Sequence, residues 1–223
     1  MKLSIKITAI VAMSLALLVA AAPTKDKIVL TSTNHAALVG EVNGGSIDTI
    51  VTKLINRDKS KPFYIYIDSP GGEVFAGKRL LDYLAGDSEN VTCVAANAIS
   101  MAFVTLQSCP VRLVTPNAVL MSHGIQGGAQ GDLRTMEKTI EVMKALELML
   151  NTISATRLGI TVEELIKLHN PEYWIVGAEA ILKAKAADGV TSVKCDDSLK
   201  GKEKKSIQTP FGSVDIEVNK CPI

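Results

Sequence analysis

Residues 63–72 read FYIYIDSPGG, and this short stretch indicates the fold of the whole chain. Aromatic and β-branched residues predominate from Phe63 to Ile67, which is typical of a buried strand. The Ser-Pro-Gly-Gly at residues 69–72 predicts a sharp turn. Apolar residues then recur with helical period from Val74 to Ala85. A strand, a tight turn and a helix in this order predict one βα step of a layered α/β core.

The alternation of strands and helices continues on both sides of this stretch, over residues 27–193. Further strands are predicted at 28–30, 35–42, 91–95, 111–114, 118–122 and 190–193. Further helices are predicted at 46–56, 100–108, 133–158 and 178–186, and one more begins at Thr161, which forms a capping-box pattern with Glu164. Strands separated by helices predict right-handed crossovers, so the fold class is α/β.

Residues 194–223 have a different pattern. A charged run from Lys200 to Lys205 is typical of a solvated loop, and apolar residues alternate at Val214, Ile216 and Val218. We interpret this segment as a β-hairpin appendage to the main domain.

The four cysteines are even in number, which favours disulfides in an oxidising compartment. Three pairings are possible. We favour Cys93 with Cys109 and Cys195 with Cys221, because each pair closes a local segment. Four buried free thiols are the alternative.

Composition places the chain among ordinary globular proteins with a short apolar leader. It has 223 residues, 47% apolar and 21% charged, and a formal net charge of +1, which excludes disorder and gives no indication of nucleic-acid binding.

Lys2 and Lys6 precede an apolar stretch from Ile7 to Ala22, and the chain without this leader has a net charge of −1. Residues 1–21 are therefore predicted to be a signal peptide cleaved after Ala21, and the protein to be periplasmic or secreted. An uncleaved anchor is the alternative, although a span needs about 20 apolar residues.

Three segments carry residues suited to acyl-transfer chemistry. Gly71 and Gly72 follow a buried strand, where their N–H groups can bind an extended peptide or an oxyanion. Ser100 begins an apolar helix, where it can be an N-cap or a nucleophile. His123 ends an apolar strand and precedes a glycine-rich segment, the setting expected at the rim of a cleft.

Together these segments resemble the ClpP family, the serine-protease subunits of Clp proteases. The matching pieces follow one another in the family's order: YIDSPGG at 66–72, AISMA at 98–102, MSH at 121–123, GGAQG at 127–131, AEA at 178–180 and ADGV at 187–190. The resemblance covers about Ile28 to Val193. It implies a ClpP/crotonase-type fold of stacked βαβ units with a protruding strand-and-helix handle at 127–158. The usual Gln-Pro after the histidine is Gly124-Ile125 here.

The resemblance also implies roles for individual residues. Ser100 matches the nucleophile, His123 the general base, and the N–H groups of Gly71 and Met101 the oxyanion donors. Glu172 stands where the family usually has an aspartate, and Asn170 is the second candidate for that role. The implied reaction is hydrolysis of peptide bonds through an acyl-enzyme, and it needs no metal or cofactor.

Other functions with a related fold or chemistry remain as alternatives. A Ser–Lys protease linked to a membrane would use Lys138 or Lys144 on the long helix. A catalytically silent scaffold would only bind peptides. An α/β-hydrolase is disfavoured because the G-x-S-x-G motif is missing around Ser100, and crotonase-type acyl-CoA chemistry is disfavoured by the serine and histidine motifs.

The expected partners follow from the family and from the predicted export. The resemblance implies a homo-oligomeric ring built through the handle, and a peptide or unfolded-protein substrate. Because the compartments outside the cytoplasm lack ATP, we expect an exported protein to have no ATPase partner.

Overall fold

The computed structural model describes residues 27–209 and 212–223. The predicted signal peptide lies outside these residues. The strands are β1 (Ile28–Leu30), β2 (His35–Val39), β3 (Phe63–Ser69), β4 (Val91–Ile99), β5 (Val111–Ser122), β6 (Tyr173–Val176), β7 (Gly189–Val190), β8 (Val193–Cys195), β9 (Lys202–Thr209) and β10 (Gly212–Asn219). The helices are α1 (Gly44–Ile55), α2 (Val74–Gly86), α3 (Met101–Ser108), α4 (Leu133–Leu158), α5 (Val162–Leu168) and α6 (Ala178–Lys183), with a short 3₁₀ helix at Asp197–Leu199.

A six-stranded sheet forms the centre of the molecule. Its strands lie in the order β2-β3-β4-β5-β6, and β7 pairs with β5. The pairings from β2 to β5 are parallel, as are those of β5 with β7, whereas β6 runs antiparallel to β5. The predicted α/β class is thereby confirmed. Among the described residues, no helix is long and apolar enough to cross a membrane.

Helix α3 lies at the centre of the main apolar core. All of its residues except Ser108 are buried, and the Phe103 side chain is fully enclosed. At its C-terminal end, Cys109 lies at disulfide distance from Cys93 of β4, with 6.0 Å between the Cα atoms. The sheet and the favoured cysteine pair therefore fix α3 from two sides.

The C-terminal segment forms the predicted hairpin. Strands β9 and β10 pair antiparallel in continuous register from Lys202 opposite Asn219 to Thr209 opposite Gly212. Cys195 and Cys221 flank the hairpin at disulfide distance, with 5.9 Å between their Cα atoms. Strand β8 pairs in parallel with β1, so the start of this segment joins the main domain.

The structure corrects several predicted elements. The strand predicted at 190–193 is two short strands, β7 and β8, because the first pairs with β5 and the second with β1. Most of the charged run at 200–205, predicted as a loop, belongs to β9, because its backbone pairs with β10. The separate strands at 111–114 and 118–122 are one strand, β5, whose pairing with β4 changes register between Val114 and Val119. The strand expected in the handle is not formed, since residues 123–130 have no regular secondary structure. A strand needs a hydrogen-bonded neighbour, and this part of the chain has none among the described residues. The handle helix does begin and end as predicted, at Leu133 and Leu158.

Candidate active site

The candidate residues meet at one edge of the central sheet. Strands β3, β4 and β5 are parallel neighbours, and they end at Ser69, Ile99 and Ser122. The carboxyl ends of parallel strands lie at the same edge, so the segments that follow them converge there. Asn97 also joins the ends of β3 and β4, because its side-chain amide donates to the Asp68 carboxylate at 2.8 Å.

Ser100 lies at the sharp turn between β4 and α3. Its φ of 58° and ψ of −122° belong to a region that L-residues rarely adopt. Its backbone N–H donates to the Met121 carbonyl at 2.9 Å, and its own carbonyl accepts from the Phe103 N–H at 3.0 Å. The surrounding backbone therefore holds this conformation, and the side chain makes no capping hydrogen bond to α3.

The Ser100 hydroxyl instead contacts His123. Ser100 Oγ and His123 Nε2 are 2.7 Å apart, within hydrogen-bonding distance. Both side chains line a cleft of about 280 Å³. Met101 and the α4 residues Glu147, Leu150 and Asn151 also line it. A hydroxyl bonded to an imidazole beside a cleft is the arrangement that activates a serine as a nucleophile.

The glycines after β3 differ in what their N–H groups can do. The Gly71 N–H donates to Ser69 Oγ at 3.1 Å, so the predicted role of Gly71 as an oxyanion donor would require this hydrogen bond to be exchanged for one to the substrate. The Val42 N–H donates to the Gly71 carbonyl, and the Val42 carbonyl accepts from the Glu73 N–H. Because N–H groups alternate sides along an extended chain, the Gly72 N–H points away from Val42. Gly72 lines the cleft with Met101, whose N–H is in the unpaired first turn of α3. The two N–H groups best placed for an oxyanion are therefore those of Gly72 and Met101.

Gly71 has a steric role that the sequence did not reveal. It has a φ of +91°, and a Cβ built on it would lie 2.6 Å from both the Ser100 Cβ and the Ile99 carbonyl oxygen. Only glycine allows the turn after β3 to approach Ser100 this closely.

Glu172 is not bonded to His123 in this structure. Its carboxylate is exposed and accepts a hydrogen bond from the Trp174 indole N–H at 2.8 Å. His123 Nδ1 is buried and has no hydrogen-bond partner among the described residues. The pairing of β5 with β6 ends at Ser122 opposite Tyr173, so His123 and Glu172 each stand one residue beyond this last pair.

Sequence reasoning missed a second histidine beside the site. His169 Nε2 lies 2.8 Å from the Ser122 hydroxyl, and Ser122 is the neighbour of His123 in the chain. Burial lowers the pKa of His169, and the nearby charge of His123 lowers it further, whereas the Glu147 carboxylate acts in the opposite sense. His169 ends the short helix α5, and no sequence motif marks it.

The helix lysines do not reach the cleft. Lys138 is exposed and forms an ion pair with Glu141 at 2.7 Å, and Lys144 is exposed as well. Neither residue is part of the cleft lining. A Ser–Lys pair is therefore disfavoured by the geometry.

Comparison with known proteins gives an independent result. The family model described as Clp protease matches residues 23–184. The chain is 27% identical over 163 residues to an ATP-dependent Clp protease proteolytic subunit of Ligilactobacillus salivarius, covering 70% of this chain and 79% of the relative. It is 30% identical over 147 residues to ATP-dependent Clp protease proteolytic subunit 2 of Prochlorococcus marinus, covering 63% and 74% of the two chains. A proteolytic subunit from Bacteroides fragilis is 29% identical over 158 residues, covering 70% and 74%. The chain belongs to the Clp protease family.

Proposed function

We propose that this protein is a serine peptidase that hydrolyses peptide bonds in short or unfolded polypeptides, with Ser100 as nucleophile and His123 as general base. The observation that carries the proposal is the 2.7 Å contact between Ser100 Oγ and His123 Nε2 in a cleft. Membership in the Clp protease family supports the same reaction class.

The geometry suits a two-step acyl transfer. His123 Nε2 accepts the hydroxyl proton while Ser100 Oγ attacks the peptide carbonyl carbon, and the Gly72 and Met101 N–H groups bind the resulting oxyanion. His123 then gives its proton to the departing amine, which leaves an ester on Ser100. A water molecule deprotonated by His123 attacks this ester, and collapse of the second tetrahedral intermediate releases the acid and restores the serine.

A third residue would orient His123 through Nδ1, which is buried and unpartnered among the described residues. We propose Glu172 for this role, because Glu172 and His123 each stand one residue beyond the last pair of β5 and β6. Its side chain would have to turn from the Trp174 indole to His123. The variant Glu172→Gln should then lower peptide hydrolysis by about 100-fold or more, since an oriented imidazole needs an acceptor at Nδ1. An activity within threefold of wild type would exclude Glu172.

The main test is labelling of the purified protein with a fluorophosphonate, which reacts with an activated serine. We expect labelling of the wild type, none of Ser100→Ala, and a rate lowered by about 10⁴-fold in His123→Ala. Ser108→Ala is the matched control, because this hydroxyl lies on the same helix and donates to the Val104 carbonyl instead of facing the cleft. Labelling that survives in Ser100→Ala would reject the proposed nucleophile.

The same assay separates the alternatives. Normal labelling in His123→Ala together with lost labelling in Lys138→Ala or Lys144→Ala would support the Ser–Lys mechanism. No labelling of the wild type would support the catalytically silent scaffold.

The proposal includes export and action without an ATPase. The leader at residues 1–21 supports export, although the named relatives are ATP-dependent subunits. Two results are expected: a mature N-terminus at Ala22, and cleavage of unfolded polypeptides by the purified protein in the absence of ATP. Recovery of the protein from cells in a complex with a Clp-type ATPase would contradict this part.

We also propose a homo-oligomeric ring that uses the handle helix α4. Apolar side chains are exposed along it, with Leu133 at 75%, Val142 at 51% and Leu148 at 59% exposure, and such side chains favour burial against another surface. Light scattering of the mature protein after size-exclusion chromatography should give a multiple of the monomer mass. A monomer at micromolar concentration would reject the ring.

A further inference from the structure

Glu147 places a carboxylate side chain in the candidate active-site cleft. It lies on α4, in the cleft wall that also contains Leu150 and Asn151. Apolar side chains of Val74, Met101, Val104 and Ile125 make up much of the remaining lining. Among the described residues that line the cleft, Glu147 and His123 are the only titratable ones.

The Glu147 carboxylate is held in place by the segment that follows His123. Its Oε1 accepts a hydrogen bond from the Ile125 N–H at 3.2 Å. A Cβ built on Gly124 would lie 2.6 Å from this same oxygen. The Gly124-Ile125 sequence therefore leaves space for the carboxylate and supplies a donor to it. A Gln-Pro sequence would do neither, because glutamine has a Cβ and proline has no N–H.

The second carboxylate oxygen has no such partner. Oε2 of Glu147 makes no hydrogen bond or ion pair with the described part of the chain. Within residues 27–209 and 212–223, no lysine or arginine lines the cleft. A half-buried carboxylate that has one oxygen without a protein partner is stabilised by a cation that brings its own hydrogen-bond donors.

We infer that Glu147 makes the cleft select substrates with a lysine or arginine side chain next to the scissile bond; this inference rests on the proposed function. The aliphatic stem of such a side chain packs against the apolar wall, as the stems of long cationic side chains do. Its charged head group then donates to Glu147 Oε2. Glu147 is a specificity-determining residue in this account, because it binds a side chain of the substrate and takes no part in proton transfer.

The test compares two peptidyl aryl phosphonates that differ only in the residue next to the phosphorus. One probe carries lysine there and the other carries norleucine, which has the same four-carbon stem without the charge. Both label an activated serine, so the rate ratio measures selectivity directly. We expect the lysine probe to label wild-type Ser100 about 10- to 100-fold faster, the range of a charge-assisted hydrogen bond in a cleft.

The variant Glu147→Gln separates the charge from the contact with Ile125, because the glutamine side-chain oxygen can still accept from that N–H. We expect its lysine-to-norleucine ratio to fall to near one. Glu141→Gln is the matched control on the same helix, where the carboxylate is exposed and pairs with Lys138. Its ratio should equal that of the wild type. Glu147→Lys gives a second reading, since it should prefer a probe with glutamate at this position.

The outcomes distinguish this inference from the proposed function. If wild-type Ser100 is labelled with no preference for lysine, or if Glu147→Gln keeps the wild-type ratio, the inference is wrong while the peptidase proposal stands. If no probe labels the wild type, the proposed function fails, and the inference fails with it.

Discussion

Helices α3 and α4 both line the cleft and differ in almost every other respect. Helix α3 (Met101–Ser108) is buried along nearly its whole length. Helix α4 (Leu133–Leu158) has 26 residues, of which only Leu150, Asn151, Ser154, Ala155 and Leu158 are buried. The wall that carries the candidate nucleophile is thus part of the core, whereas the wall that faces the substrate belongs to a helix that is exposed over most of its length.

This difference separates chemistry from selectivity. The buried helix α3 and two backbone hydrogen bonds fix the backbone at Ser100, and a strained conformation persists only where its surroundings determine it. On the α4 wall Glu147 is only half-buried, in contrast to its buried neighbours Leu150 and Asn151, so a change at Glu147 costs the fold less than a change inside α3. A carboxylate such as that of Glu147 can therefore enter the cleft from α4 without disturbing the core.

The largest expected effect comes from Gly71→Ala on the α3 side of the cleft. The added Cβ would meet the Ser100 Cβ and the Ile99 carbonyl oxygen. A displacement of about 1 Å at a reacting group can lower a rate by about 100-fold, so we expect at least that loss in fluorophosphonate labelling. Gly40→Ala is the control, since Gly40 has a φ of +80° but nothing within 4 Å of its Cβ position. Near-normal labelling of Gly71→Ala would show that the turn is less constrained than this contact implies.

Truncation of one side chain on each helix tests how much α3 and α4 contribute to the free energy of unfolding. Phe103 is fully buried in α3, so its truncation should lower the free energy of unfolding by about 3–5 kcal/mol. Leu148→Ala on α4 removes a side chain that is 59% exposed, and we expect a loss below about 0.5 kcal/mol. Urea unfolding of both variants at a concentration where the protein is monomeric gives the comparison. Equal losses would contradict the contrast between a fixed and an exposed wall.

Loss of the cysteine pair at the end of α3 should lower the free energy of unfolding slightly less than Phe103→Ala. Cys93 and Cys109 are buried and separated by 16 residues, and a cross-link of this length stabilises by about 3 kcal/mol. The double variant Cys93→Ala/Cys109→Ala should lose that amount in urea unfolding under oxidising conditions. A reductant that opens the Cys93–Cys109 bond should lower the stability of the wild type to about that of the double variant. A loss below about 1 kcal/mol would show that burial alone fixes α3.

The smallest expected effect concerns the pH dependence of stability. The folded pKa of His169 lies below the ordinary value of 6.5, mainly because of burial. The unfolded state therefore binds more protons below pH 6.5, and stability falls as the pH drops through this value toward the folded pKa. His169→Gln should lose less stability between pH 8 and pH 5 than the wild type. Part of the dependence should remain, because burial lowers the pKa of His35 as well. An unchanged pH dependence would mean that His169 is not protected from protonation.

Sequence patterns predicted the elements best where the pattern was local and regular. Helix α4 and the capping box of Thr161 and Glu164 agree with the structure at residue level. The favoured cysteine pairs also lie at disulfide distance. The handle strand was not found, because strand formation depends on a neighbouring chain segment as well as on the strand's own residues.

The site residues divide in the same way. Motifs singled out Ser100 and His123, since both follow buried strands and both belong to the resemblance. His169 and Glu147 were missed, because each lies in a helical segment whose sequence gives no indication of what it faces. The hydrogen bond from the Gly71 N–H to Ser69 Oγ was also beyond sequence reasoning, since the direction of an N–H group depends on φ and ψ.

The sequence by itself determined the α/β class, the order of the elements and the two residues that meet at the candidate active site. The class and the order of elements follow from periodicity over a few neighbouring residues, and the two residues follow from short motifs that resemble those of the ClpP family. Only the tertiary structure decided the partner of each polar group: the Glu172 carboxylate with Trp174, the His169 ring with Ser122, and the Glu147 carboxylate in the cleft. Such partners come from strands and helices far apart in the chain, and a side chain turns toward whichever hydrogen-bond donor or acceptor packing brings within reach.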